Sequence, residues 1–331
     1  MNRLIEIVRS FADRRMLIVG DAIADQFLYG NISRVSREAP VFILRHEQTQ
    51  TVPGGAANCA MNLASLGARV SLIAAVGNDE PGRELSTKLE DVGVDVSGVI
   101  VSDNIQTTTK VRILAGQSHS NKQQVIRIDY EGHPLGDGEP HDSIIKALQK
   151  ALPSADTVVI SDYNYGIIDD RAIALIRESS PKAVLVDSRY RLSYLTGFTA
   201  ATPNEAELEQ LMGNSIVSKE HLEMAANAMK KQLKHRALLV TRGAQGMMLL
   251  EGDAAPLHIP AVGAQQSVDV TGAGDTVIAT FALAVASDAS FADAARLANY
   301  AGGLVVMKRG TASVTAAELE HSILNSETPD A

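Results

Sequence analysis

The run Asp269-Val-Thr-Gly-Ala-Gly-Asp275 carries the strongest chemical signal in the chain. A polar strand end leads into Gly272-Ala273-Gly274, and an apolar helical run, TVIATFALAVA, follows. Glycines at a helix start let backbone N–H groups approach a ligand closely, and the helix dipole adds positive potential there. Such an anion hole suits the charge that builds on a phosphoryl group in transfer. A lone Asp at that place is ordinarily a helix-start residue. Beside a phosphate cradle, Asp275 is also placed to take a proton from an attacking hydroxyl. Gly272, Ala273, Gly274 and Asp275 are therefore the candidate catalytic groups. No GxxxxGK[ST] pattern exists, and no GxGxxG follows the first apolar strand, so P-loop and dinucleotide folds have no support. The one cysteine, Cys59, lies in an apolar stretch and reads as a small buried hydrophobe. It allows no intrachain disulfide, and without CxxC or HExxH a zinc site is not expected.

These groups need a scaffold. The chain has 331 residues, 45% of them hydrophobic, with 4% aromatics and no Trp, so aliphatic residues and Ala must fill a large core. The formal net charge of −9 argues against a nucleic-acid partner, although local Arg and Lys can still hold an anionic substrate. Charges interrupt the N-terminal MNRLIEIVRSFADRRMLIVGD every few residues. That pattern fits neither a signal peptide nor a membrane span, so a cytoplasmic location is expected.

Short apolar runs at 16–19, 70–76, 157–160, 183–186, 237–240 and 247–250 predict core strands. Helices are expected from Gly54-Gly55 to about Leu66, from Pro81 to about Val92, and at 204–212, 219–233, 272–286 and 291–308. Strands alternating with helices mean βαβ units and a mostly parallel sheet, an α/β fold. Two segments differ. Residues 22–52 are polar and irregular, with β-prone FLYG and VFIL. Residues 105–131 hold TTTKVRIL and QQVIRIDYE around GQSHSNK, a hairpin signal with a long turn. We expect the two segments to pair as a small accessory sheet on one domain spanning 1–331. The last residues, SETPDA, read as a frayed tail.

DVTGAGDT resembles the C-terminal signature of the ribokinase-like (PfkB) carbohydrate kinases. Val52-Pro53-Gly54-Gly55-Ala56-Ala57-Asn58 resembles that family's sugar-binding segment, more than 200 residues upstream. The resemblance runs from Met16 to about Ser313 and implies a ribokinase-like fold with ATP as phosphoryl donor and Mg²⁺. It places Gly54, Gly55 and Asn58 at the sugar. It also implies nucleotide-side roles for Asn204, Thr241, Gly243, Gly246, Thr271 and Asn299. Glu207 would help to organise Mg²⁺ indirectly, and Asp269 would mark a K⁺ site. The accessory sheet would be a lid that closes over the sugar and forms a homodimer interface.

Several segments are similar to one subgroup, the D-glycero-β-D-manno-heptose 7-phosphate kinases of lipopolysaccharide core assembly. These are GDAIADQFLYGNISRVSREAPV, Thr109-Lys110-Val111-Arg112 and Arg127-Ile128-Asp129-Tyr130-Glu131. A sugar phosphate needs cations, and Lys110, Arg112 and Arg127 are the first candidates, with Arg34 and Arg37 after them. Ordinary edge-strand charge is the plainer reading of some of these. Asp21 and Asp25 follow a core strand, where open α/β sheets bind ligands, and could accept from sugar hydroxyls. The chain departs from the subgroup's pattern in Asp162-Tyr163-Asn164-Tyr165-Gly166, where Tyr165 replaces a lysine. It departs again in Asp187-Ser188-Arg189-Tyr190-Arg191, where Arg189 or Arg191 could supply the missing cation.

The resemblance implies transfer from ATP to the anomeric hydroxyl, giving a 1,7-bisphosphate. Because the subgroup's bifunctional members carry a further nucleotidyltransferase domain, the kinase step alone is expected here. Ribose, fructose, a phosphorylated hexose or a nucleoside are alternative acceptors. A non-catalytic sugar- or nucleotide-binding regulator ranks last, because Asp275 and the glycine turn are intact.

Overall fold

A computed structural model describes residues 3–117, 122–132, 134–136, 138–263 and 267–327. The centre of the expected long turn, 118–121, and the tail 328–331 lie outside the described residues. The first half runs α1 (Arg3–Arg9), β1 (Arg15–Gly20), β2 (Ala22–Val35), β3 (Phe42–Gly55), α2 (Ala56–Ser65), β4 (Arg69–Gly77), α3 (Glu80–Asp91), β5 (Asp95–Ser102), β6 (Thr109–Gly116), β7 (Gln123–Tyr130) and α4 (Glu139–Ala151). Then follow β8 (Thr157–Asp162), α5 (Asp170–Ser179), β9 (Ala183–Ser188), β10 (Ala200–Ala201), α6 (Glu205–Met212), α7 (Lys219–Leu233) and β11 (Ala237–Thr241). The chain continues through β12 (Met247–Glu251), β13 (Leu257–Ile259), α8 (Ala273–Ala286), α9 (Phe291–Val305) and α10 (Ala316–Glu327).

The large sheet has the order β13-β12-β11-β10-β9-β8-β1-β4-β5. Its pairs are parallel except those of β12, which runs against both neighbours. Helices cover both faces, which explains the unbroken apolar runs of the central strands. Alternate residues serve opposite cores. Met16, Ile18, Val159, Leu185 and Leu239 pack with α2, α8, α9 and α10. Leu17, Val19, Val158, Ile160, Val184 and Val240 pack with α4, α5, α6 and α7.

The second sheet has the order β3-β2-β6-β7. β2–β3 and β6–β7 are antiparallel hairpins, and β2 joins β6 in parallel. The accessory sheet is thus present, and the mostly parallel α/β fold with a small second sheet matches expectation. Residues 22–52 are more regular than their composition predicts. β2 and β3 are both 14-residue strands, because pairing with β6 and with each other imposes order where hydrophobic periodicity is weak. The sequence reading also passes over α1, α4, β5, β10, β13 and α10. β5 lies at a sheet edge and half-exposes its polar DVSGVIVS, which blurs any apolar pattern. β10 and β13 are two and three residues long.

Candidate active site

The second sheet leaves the large one directly after β1, so its inner face overlooks the C-terminal ends of β1, β8, β9 and β11. A cleft of about 600 Å³ lies there, lined from the lid by Asp25, Lys110, Arg112 and Arg127 and from the body by residues 270–275. The chain enters α8 through a type II turn. The Ala273 N–H donates to the Val270 carbonyl at 3.2 Å, and Gly272 has φ 76° and ψ 7°. A Cβ at Gly272 would meet Asn58 Nδ2 at 2.5 Å, so glycine is required there on two counts. The expected three-amide anion hole is corrected by this turn, because the Ala273 amide is already engaged. The Gly274 N–H, in the first helical turn, has no acceptor among the described residues, and Gly274 lines the cleft.

Asp275 is 4% exposed. Its Oδ2 accepts from Asn58 Nδ2 at 2.8 Å, and its Oδ1 accepts from the Tyr163 hydroxyl at 3.1 Å. Burial pushes its carboxyl up to about 7, against the pull of these two donors. A carboxyl poised near neutrality beside this turn has the chemistry of the general base expected at this position.

The structure relocates several expected sugar-side residues. Asp21 does not line this cleft. Its Oδ2 accepts from the Tyr163 and Tyr165 N–H groups at 2.8 and 3.1 Å, and Asp21 lines a separate cavity of about 40 Å³. Burial and the Asp162 charge push Asp21 up to about 7. Asn58 is turned to Asp275 and is fixed in turn by Asn62 Nδ2 on its own Oδ1 at 3.0 Å. Gly54, one residue before the end of β3, lies against the Asp25 carboxylate, and Gly55 lines the cleft. Asp25 accepts from Arg112 Nη1 at 2.5 Å and from the Thr311 hydroxyl at 3.1 Å.

The lid cations are already paired. Lys110 Nζ contacts Glu131 at 2.9 Å, Asp129 at 3.3 Å and the Tyr165 hydroxyl at 3.3 Å. Arg127 grips both oxygens of Asp129, at 2.8 and 2.9 Å. Tyr165 also donates to Glu131. Burial, and then this bond to Glu131, push the Tyr165 phenol up to about 12. Arg34 and Arg37 are exposed beyond the cleft, and neither lines it. Of the two cations proposed to replace the missing lysine, Arg189 lines the cleft, whereas Arg191 donates to the Ile168 carbonyl.

Among the residues expected on the nucleotide side, Asn204 and Glu207 form a reciprocal helix cap on α6, with bonds of 2.8 and 2.9 Å. Both also line the cleft. Glu207 is pushed up by burial, against the Asn204 N–H and the nearby Arg189 charge. Thr241 sits at the junction with a second cavity of about 200 Å³, bounded by Gly243, Gly246, Val262, Asn299 and Gly303. Apolar surface dominates it, which suits a purine ring. Asn299 Nδ2 donates to the Pro260 carbonyl at 2.7 Å, so it holds the cavity's edge. Thr271 lines the main cleft. Asp269 accepts from the Thr271 and Gly310 N–H groups, both at 2.9 Å. Although burial opposes it, these donors keep the carboxyl below its usual range.

Sequence reasoning missed Tyr163, Asp162, Asp187 and Thr202, all of which line the cleft. Asp162 ends β8 and Asp187 is one residue from the end of β9, so the rule that singled out Asp21 after β1 would have found them. Asp187 is pushed well above its ordinary value by burial and by the charges of Glu207, Asp275 and Asp162. The Thr202 hydroxyl is buried without a hydrogen-bond partner.

The pfkB family carbohydrate kinase profile matches residues 14–317. The chain belongs to the pfkB family of carbohydrate kinases. It is therefore a phosphotransferase with an alcohol group as acceptor and ATP as phosphoryl donor. It is 40% identical over 320 residues to the bifunctional protein HldE of Edwardsiella ictaluri, covering 95% of this chain and 64% of that protein. HldE of Caulobacter vibrioides is 41% identical over 324 residues, covering 96% and 65%. The chain thus spans about two-thirds of the length of these relatives. Among solved structures, Arabidopsis thaliana ribokinase complexed with ribose and ATP aligns with a TM-score of 0.74 at 22% identity, covering 94% of this chain and 99% of that one. Escherichia coli phosphofructokinase-2 in complex with potassium aligns with a TM-score of 0.77 at 18% identity, covering 95% and 99%. Both show the ribokinase-like fold. Among the described residues no helix is long and apolar enough to cross a membrane.

Proposed function

We propose that this pfkB-family kinase phosphorylates the anomeric hydroxyl of D-glycero-β-D-manno-heptose 7-phosphate, giving the 1,7-bisphosphate. The observation that carries the reading is a single cleft with Asp275 and the Gly272–Gly274 turn on one wall and Lys110, Arg112 and Arg127 on the other. A phosphorylated sugar needs both walls at once. The heptose-kinase-like segments quoted above and the identity to HldE proteins support the choice of sugar.

In this reading Asp275 takes the proton of the attacking hydroxyl, whose oxygen forms the new bond to the γ-phosphorus as the bond to ADP breaks. The free Gly274 N–H faces the charge on the transferring group. Lys110, Arg112, Arg127 and Arg189 bind the acceptor's own phosphate. The 22–52 and 105–131 lid segments, inserted in one ribokinase-like domain, exclude water as a competing acceptor.

Mg²⁺ fits beside Glu207. The neighbouring Asp187 is raised first by burial and then by the Glu207 charge, and a cation there would offset that charge. No group of three His, Cys, Asp or Glu side chains among the described residues can hold a metal unaided, so phosphate oxygens and water would complete its shell. The ion would neutralise charge on the phosphates. Asp269, whose carboxyl its two N–H donors hold below the usual range, would supply negative charge for a K⁺ ion. We further propose a cytoplasmic homodimer joined through the lid.

One observation favours a different acceptor in the same family. Tyr165, Glu131 and Asp129 engage Lys110 completely, and a smaller or unphosphorylated sugar would leave that cluster intact. Coupled ADP release with Mg-ATP tests the choice against heptose 7-phosphate, sedoheptulose 7-phosphate, fructose 6-phosphate, ribose and adenosine. Turnover confined to the heptose phosphate, and lost in Asp275→Asn, supports the proposal. Preference for another sugar reassigns the acceptor. ATP binding without turnover on any acceptor refutes catalysis.

A further inference from the structure

We propose that Tyr163 is a positioning residue for phosphoryl transfer, which keeps Asp275 an ionised and correctly turned carboxylate, while Asp21 anchors Tyr163 from behind. The inference rests on Asp275 acting as the base.

The geometry is specific. Each oxygen of Asp275 receives one donor, Oδ1 from the Tyr163 hydroxyl at 3.1 Å and Oδ2 from Asn58 Nδ2 at 2.8 Å. The donors approach from different elements, Asn58 from α2 and Tyr163 from the loop after β8. Together they fix the plane of the carboxylate and leave lone pairs for a hydroxyl in the cleft. The Tyr163 backbone is pinned in turn. Asp21 Oδ2 accepts its N–H at 2.8 Å and the Tyr165 N–H at 3.1 Å, which holds the loop against the end of β1.

The charges around Asp275 make neutral donors necessary. From β2 faces Asp25, whose charge Arg112 of β6 offsets at 2.5 Å. From the end of β9 faces Asp187, and from α2 faces the Cys59 thiol, itself raised by burial and by the Asp275 charge. Asp21 accepts the Tyr163 N–H, and Asp162 precedes Tyr163 at the end of β8. None of these is a cation on the base. Burial raises Asp275, and the groups that act against it are Asn58 and Tyr163. Tyr163 can fill this role throughout the working range. Burial, and next the Asp275 and Asp187 charges, push its phenol well above its ordinary value, so it keeps its proton and donates.

The test compares wild type, Tyr163→Phe and Asp275→Asn in log kcat against pH, with ATP affinity and melting temperature recorded alongside. Tyr163→Phe leaves the two backbone N–H groups on Asp21, so that carboxyl is not disturbed. We expect the acid limb of Tyr163→Phe to move up by roughly one pH unit. We also expect its kcat near neutrality to fall and then recover at higher pH, with ATP affinity and melting temperature unchanged. An unmoved limb in Tyr163→Phe, with Asp275→Asn inactive, overturns this inference and leaves the base assignment standing. Retained turnover in Asp275→Asn overturns the base assignment itself. If no acceptor turns over, the carboxyl ¹³C signal of Asp275, identified by its loss in Asp275→Asn, reports the same midpoint. An unchanged midpoint in Tyr163→Phe then refutes the proposal.

Discussion

Asn58 and Asp275 lie 217 positions apart, and a 2.8 Å hydrogen bond joins their side chains. Asn58 Nδ2 also donates to the Gly272 carbonyl at 3.3 Å, and Asn62 Oδ1 accepts from the Thr276 hydroxyl at 3.1 Å. The start of α2 and the start of α8 are thereby stitched into one polar network inside an apolar core. A half-satisfied network of this kind is costly, so its members stand or fall together. We expect Asp275→Asn to lower kcat by roughly 10²–10⁴-fold while ATP still binds. Steady-state rates with isothermal titration of ATP check both halves of that expectation.

The pH dependence of stability follows from Asp275 and Asp21. Both are pushed up to about 7 in the folded chain, against ordinary carboxyl values when unfolded. Between those values the folded state binds more protons than the unfolded state, so these two groups lower stability as pH rises toward 7. His235 acts in the opposite sense. Burial holds it down to about 4, so its contribution is present above its ordinary value of 6.5 and lost as pH falls toward 4. Denaturant midpoints at about pH 5 and about pH 8 test this. Asp275→Asn should gain stability over wild type on going to the higher pH, and a constant difference would contradict the shift.

Asp25 and Arg112 form a buried ion pair between β2 and β6, with side chains 8% and 11% exposed. Removing one partner strands a charge, and the cost of that is roughly 3–5 kcal/mol. Asp25→Asn and Arg112→Met should each lower the unfolding free energy on that scale. The double variant should lose less than the sum of the two. Chemical denaturation of all four proteins closes the cycle, and strict additivity would show the pair to be uncoupled.

Gly246 has φ 83°, and a Cβ there would lie 2.0 Å from the Ile259 carbonyl oxygen. Gly246→Ala must displace the segment that walls the apolar cavity. We expect weaker ATP binding together with a lower melting temperature, and little change in sugar affinity. ATP titration and differential scanning fluorimetry are the measurements. Unaltered ATP affinity would remove this cavity from the nucleotide site.

Arg112 pairs with Arg127 across β6 and β7, on the face toward the cleft, which puts Val111, Ile113, Ile126 and Ile128 on the opposite face. Ile126 is 52% exposed and Ile128 39%, and apolar edges of this kind invite pairing with a second copy. Ile128→Glu should convert the proposed dimer to monomer. Light scattering at several concentrations reads the mass, and a monomeric wild type would end the dimer proposal.

The sequence alone determined what depends on local spacing and apolar runs. The core strands, the main helices, the glycine turn before α8 and the carboxylate at its start are all written in contiguous residues. Local pattern works there because strand and helix periods are set by the backbone itself. It fails for 22–52, since β2 and β3 gain their order from partners distant in sequence. It fails also for side chains whose role depends on direction. Asp21 and Asp25 look equivalent in GDAIAD, yet one turns back to clamp the Tyr163 loop and the other forward to Arg112. Lys110 and Arg127 read as free cations, yet Asp129 pairs with both, two residues along β7 from Arg127, and Glu131 pairs with Lys110. Tyr163 gave no sign of its bond to Asp275, because nothing in DYNYG records which helix start lies 3.1 Å away. Residue type fixes what a group can donate or accept, and only the packing of β8, α2 and α8 decides which group receives it.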